Sequence, residues 1–220
     1  MHDLQVGQVV FQIFFSMALL VIALVAPAYA STSITAEREQ KTYESLILSG
    51  MPAWRIIRGK FIAAYASMFI VLVALGPVVG IAFLFGGISP GQVVAGFLGL
   101  LLILAPAVAL GVAVSARVSS TRIAILISTL VFFPTAMIVT SIVGVLGEPA
   151  KREWPLAMAG PFWWTEALSE HLFDPRILGL LVALPLYLFL MPVWLFLASA
   201  VSGIRPPADD RSTPFKWWSA

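Results

Sequence analysis

The chain has no cysteine and only two histidines among its 220 residues. Disulfide staples and thiol chemistry are thereby excluded. Charge is scarce as well, since Asp, Glu, Lys and Arg together make up 11% of the residues, 24 side chains in all. Five long stretches, about 9–34, 61–85, 93–115, 123–146 and 177–201, hold no Asp, Glu, Lys, Arg or His. Proton- or ion-coupled transport normally leaves ionisable groups within the membrane, so this lack counts against an ion-driven secondary carrier or channel. The one Gly-Lys, Gly59-Lys60, lacks the upstream glycine and the downstream Ser or Thr of a phosphate loop, so any ATP would be handled elsewhere. No tandem repeat or low-complexity segment stands out.

What is present is apolar. With 60% apolar residues and a mean hydropathy of +0.98, the composition lies well outside that of soluble domains. Each of the five uncharged stretches is long enough to cross a hydrocarbon core of about 30 Å. The expectation is an all-α, polytopic membrane protein with about five transmembrane helices in one membrane domain, 1–203, followed by a tail, 204–220. Prolines recur inside the spans at Pro27, Pro77, Pro106, Pro134, Pro185 and Pro192. Membrane bundles tolerate such interruptions, and kinks of this kind also let helices swing. Small residues at Gly76 and Gly80, or Gly96 and Gly99, permit close helix packing.

Between the first two spans lies an island of charge, 35–60, with Glu37, Arg38, Glu39, Lys41, Glu44, Arg55, Arg58 and Lys60. At about 2.5 to 3.5 kcal/mol per charge, burying it at the bilayer centre would cost roughly 20 kcal/mol or more, so it belongs in water. If this island is cytoplasmic, ten Lys and Arg fall on that side and three, Lys151, Arg152 and Arg176, on the other. The positive-inside bias then puts the amino terminus outside and the carboxyl terminus inside. Ala28-Tyr29-Ala30 has the form of a signal-peptidase site, but Met1–Gln8 carries no positive charge and the apolar run exceeds a signal h-region of about 7 to 15 residues. An uncleaved membrane helix is expected.

Within the island, Thr35 reads as an N-cap, Glu37 and Glu39 as first-turn carboxylates, and Glu37 with Lys41 as an i,i+4 pair, giving a short helix over 36–48. Ser49-Gly50 supplies a stop, and Pro52 suits the first turn of a second helix that enters the membrane at Phe61. Two antiparallel spans need a connection of only about 2 to 8 residues. The longer ordered hairpin suggests a docking surface. On the opposite side, 147–176 carries Pro149, Pro155, Pro161 and Pro175 around Phe162-Trp163-Trp164, which suits short interfacial helices.

The run Glu37-Arg38-Glu39-Gln40-Lys41-Thr42-Tyr43-Glu44-Ser45-Leu46-Ile47-Leu48, the break Ser49-Gly50-Met51-Pro52 and the closing Gly59-Lys60 resemble the cytoplasmic segment of ABC-type-2 exporter permeases. That family carries a charged E-(R/K)-E, a Thr, a Glu-x-Leu-Leu-like run, a break, and a hydrophobic helix ending in Gly-Lys. Lys41 stands where Gly is frequent, and Gly50 where Pro is. A permease half in the family has six spans, so the five here correspond to its second through sixth, with the first span and the preceding interface helix missing and 147–176 in place of the outer re-entrant region.

The resemblance implies a subunit that does no chemistry itself. A second permease subunit, identical or not, would pair with it in the bacterial or archaeal plasma membrane, and separate ATPase subunits would hydrolyse ATP with Mg beneath them. The hairpin would act as the coupling helix. Tyr43, Leu46, Ile47, Ser49, Gly50, Met51 and Pro52 are the expected ATPase contact, while Glu37, Arg38, Glu39 and Glu44 are expected to brace the hairpin against its second limb or the partner. No cofactor in this chain and no nucleic-acid partner are expected, and lipid surrounds the spans. The rival readings are a nonenzymatic scaffold or assembly factor docking through the same hairpin, and an enzyme using His171 with Glu166, Glu170 and Asp174 as a metal site, which reads more simply as solvated surface.

Overall fold

The computed structural model describes residues 2–43, 51–84, 90–146 and 191–204, and among these residues the regular structure is wholly α-helical. The helices are α1 (His2–Glu39), α2 (Ala53–Ala74), α3 (Gly76–Leu84), α4 (Pro90–Arg117), α5 (Thr121–Leu146) and α6 (Met191–Ile204). The outer segment 147–176, the hairpin tip 44–50 and the tail beyond 204 lie outside the described residues. Three stretches, Ile13–Glu39, Ala53–Gly80 and Gly96–Arg117, are long and apolar enough to cross a membrane, and Thr121–Met137 and Met191–Ile204 are shorter apolar helices. The chain is a polytopic helical membrane protein.

α4 is the most buried of the three long apolar helices and makes its most extensive contact with α1. Every side chain from Ile103 to Ala113 on α4 is buried, as befits a helix apolar all round. Its fully buried Leu100, Leu104, Val108 and Val112 recur every fourth residue along one ridge. α1 instead has two faces. Phe15, Leu19, Ile22, Ala23, Ala26, Ala30 and Ile34 are buried, while Ile13, Met17, Leu20 and Leu24 face outward. With Ile62 and Ile70 of α2 and Leu126 and Leu130 of α5, these outward apolar side chains form a surface suited to acyl chains.

Three helices meet at Pro27. The Ser128 hydroxyl of α5 donates to its carbonyl oxygen at 3.2 Å, and Gly111 of α4 lies so close that an added β-carbon would stand 2.6 Å from the same oxygen. Gly96 accommodates the Phe15 ring in a similar way, whereas Gly76 and Gly80 have nothing within 4 Å of an added β-carbon. Close packing among the described helices therefore uses Gly96 and Gly111 and leaves Gly76 and Gly80 open.

One expected interruption is present, and one expected helix start is not. The apolar stretch 61–85 is interrupted at Leu75, where α2 ends and α3 begins. Pro77 has no N–H to offer the ladder there. Thr35 does not start a helix: α1 runs through it, and its hydroxyl donates to Ser31 O at 2.9 Å. Ala36 to Glu39 are good helix formers, so nothing stops the helix at Thr35. α1 ends instead at a Schellman motif, with Thr42 N donating to Glu37 O at 3.0 Å, Lys41 N to Arg38 O at 3.2 Å, and Lys41 in the left-handed region at φ 59°.

Candidate functional site

The charged end of the bundle is built from the last turn of α1. Glu37, Arg38 and Glu39 are consecutive, so their side chains leave the helix about 100° apart and reach different neighbours. Glu37 forms an ion pair with Lys60 of α2 through Oε1. This replaces the expected pair with Lys41, which lies beyond the end of the helix and is exposed.

Arg38 reaches the end of α4. Its guanidinium donates to Ala116 O at 2.7 Å and to Val118 O at 3.2 Å. A helix leaves its final carbonyls without intrahelical partners and negatively polarised, so a cation there satisfies both needs. The same guanidinium lies 4.8 Å from the centre of the Tyr43 ring, close enough for a cation–π contact.

Glu39 reaches the start of α5, where its Oε1 accepts the Thr121 amide at 2.8 Å. Four initial amides of a helix lack partners, and a carboxylate is a favourable one. Glu39 is exposed at the end of the last turn, beyond the uncharged stretch of α1. The Thr121 amide, with Arg122 adding to it, holds its carboxyl below the usual carboxylate range.

A further tie lies slightly deeper. Ser115 of α4 is fully buried, and its Oγ accepts the amides of Ile34 at 2.9 Å and Thr35 at 3.1 Å. A side chain thus inserts beside the backbone ladder of α1. α6 joins the same end through Arg117, which donates to Ser199 Oγ at 3.2 Å, and through Tyr43, whose hydroxyl lies 3.4 Å from Ile204 O. Trp54 of α2 stacks on Trp194 of α6, with ring centres 5.9 Å apart and planes 12° from parallel.

Of the residues expected at an ATPase contact, Tyr43 is half-buried and turned inward, whereas Met51 and Pro52 are exposed. Pro52 is the N-cap of α2 rather than part of its first turn. Leu46, Ile47, Ser49 and Gly50, and with them Glu44, fall outside the described residues, as do Glu166, Glu170, His171 and Asp174. Among the described residues no group of His, Cys, Asp and Glu could hold a metal ion. Sequence reasoning missed Ser115, Thr121 and Gly111. The signal for Ser115 was a polar residue at the end of an apolar span, two positions before Arg117.

The family model for ABC-2 family transporter proteins matches residues 4–160, more than two thirds of the chain. The chain belongs to the ABC-2 transporter family. This family supplies the membrane component of ABC transporters, distinct from the ATPase, and so works with an ATPase in general. The matched stretch of this ABC-2 chain includes α1 to α5 from residue 4 onward, and with them Glu37, Arg38, Glu39, Lys60, Ser115 and Thr121 of the charged end, but not α6. No curated protein and no solved structure matches the chain.

Proposed function

We propose that this chain is the permease subunit of an ATP-driven exporter, moving its cargo outward and coupled to a separate ATPase subunit through the hairpin 35–60. In this reading the hairpin lies in the cytoplasm, the amino terminus outside and the membrane is the plasma membrane. ATP and Mg are bound by the ATPase, and a second permease subunit completes the transmembrane route. The observation that carries the reading is the anchoring of the hairpin. Its first limb is tied to three other helices by three successive side chains, while Met51 and Pro52 at the other side of the tip remain exposed. A firmly rooted element with an exposed apolar end suits a part that receives force from a partner. Glu37, Arg38 and Glu39 brace the hairpin from within the chain, and the ATPase contact falls to 46–52.

The test is co-purification of the tagged full-length protein from native membranes in a mild detergent, with bound proteins identified by mass spectrometry. Wild type should retain a subunit with ABC ATPase motifs, and Leu46→Asp/Ile47→Asp or Met51→Asp should retain at least tenfold less at equal permease yield. Equal retention by the variants would remove the hairpin from the contact, and no ATPase with wild type would overturn the exporter reading.

A further inference from the structure

The ties at the charged end are distributed so that they hold helices the hairpin does not reach through the chain. The hairpin is covalently continuous only with α1 and α2. The turn 118–120 between α4 and α5 is some 80 residues away in sequence, yet both its flanks are gripped by α1. Arg38 holds its entry through Ala116 O and Val118 O, and Glu39 holds its exit through the Thr121 amide. These are the groups that a helix end leaves without partners, so the grip falls where the backbone has no competing bond.

One such contact would act as a pivot. Here there are two levels, because Ser115 binds the amides of Ile34 and Thr35, three to four residues before Arg38 and thus about 4.5 to 6 Å along the helix axis. Two fixed points separated along an axis prevent α4 from tilting about α1 at this end. The pair Glu37 with Lys60 adds α2 to the same unit and ties the two limbs of the hairpin to each other.

We infer that Glu37, Arg38, Glu39 and Ser115 are positioning residues that join the ends of α1, α2, α4 and α5 into one rigid cap, through which displacement of the hairpin is delivered to the α4–α5 turn. The exporter reading supplies only the source of that displacement. The rigidity of the cap is a property of this chain alone and is measured without any partner, so either idea can fail while the other stands.

The absence of native cysteine makes the measurement clean. The full-length protein in lipid nanodiscs carries nitroxide labels at Met51→Cys and Ser119→Cys, both exposed positions, and pulsed electron paramagnetic resonance reads the distribution of distances. A control pair, Met51→Cys with Ile70→Cys, spans α2 itself. The expected result is one narrow distribution for 51–119, widened at least twofold by Arg38→Ala/Glu39→Ala with the control unchanged. Glu37→Lys should widen it too, and adding Lys60→Glu should restore the original width. An unchanged 51–119 width in the alanine variant, with an intact control, overturns the cap. If the alanine variant disturbs the control, the charge exchange decides: recovery supports the cap and failure to recover overturns it.

Discussion

Gly111 of α4 and Pro27 of α1 meet with no side chain between them, since a β-carbon at position 111 would stand 2.6 Å from the Pro27 carbonyl oxygen and 2.6 Å from the Ala30 β-carbon. Neither neighbour is the free end of a flexible side chain, so the helices themselves would have to separate. Overpacking of this kind typically costs about 1–3 kcal/mol.

Gly111→Ala should therefore lower the thermal unfolding midpoint of the detergent-solubilised protein. Gly80→Ala, at a position with nothing within 4 Å of the added carbon, should leave it unchanged or raise it slightly. Equal midpoints for the two variants would mean that α1 and α4 do not approach so closely at Pro27.

Lys41 holds a left-handed backbone at φ 59°, a conformation that costs a residue with a β-carbon about 1–2 kcal/mol and glycine almost nothing. Its exposed side chain offers no evident compensation. Lys41→Gly should stabilise the protein by about 1 kcal/mol, and Lys41→Val should destabilise it by a similar amount. The comparison is made by denaturant or thermal unfolding in the same detergent, and the reverse order would exclude the Schellman end.

The bond between Glu39 and the Thr121 amide has a defined pH dependence. The carboxyl of Glu39 is held below the usual range in the folded protein, chiefly by that amide. Its contribution is fully present above the ordinary carboxylate pKa and is lost as pH falls through the lower, folded value. Protection of the Thr121 amide against hydrogen exchange, corrected for the intrinsic pH dependence of exchange, should persist into mildly acidic solution and fall only below the usual carboxylate range. In Glu39→Gln, which keeps an acceptor without a titrating group, the corrected protection should be flat across that interval. A matching acid-side loss in the glutamine variant would assign the transition to another group.

The three long apolar helices were legible because exclusion of charge and minimum length are properties of the chain read in one dimension. α1, α4 and α5 each extend a little beyond their uncharged stretches, because flanking charged residues such as Glu37 to Glu39 and Arg117 are themselves good helix formers. The end of α1 was misread at Thr35, a residue equally at home inside a helix when its hydroxyl returns to the preceding turn. The true stop rests on a lysine in a conformation that favours glycine, and its one sign in the sequence was that Lys41 stands where Gly is frequent in the family. The ties were out of reach for a different reason. That Arg38 completes the end of α4, or that Ser115 receives two amides of α1, depends on which helices are neighbours, and apolar spans of similar composition do not say.

The stacked indoles of Trp54 and Trp194 join the start of α2 to α6, two elements 140 residues apart in the chain. At a centre separation of 5.9 Å and nearly parallel planes, their electronic transitions couple strongly, and that coupling falls steeply as the rings part. The protein thus carries an optical gauge for the gap between these two helices. A shift of an ångström or two would register in its ultraviolet circular dichroism without any added label.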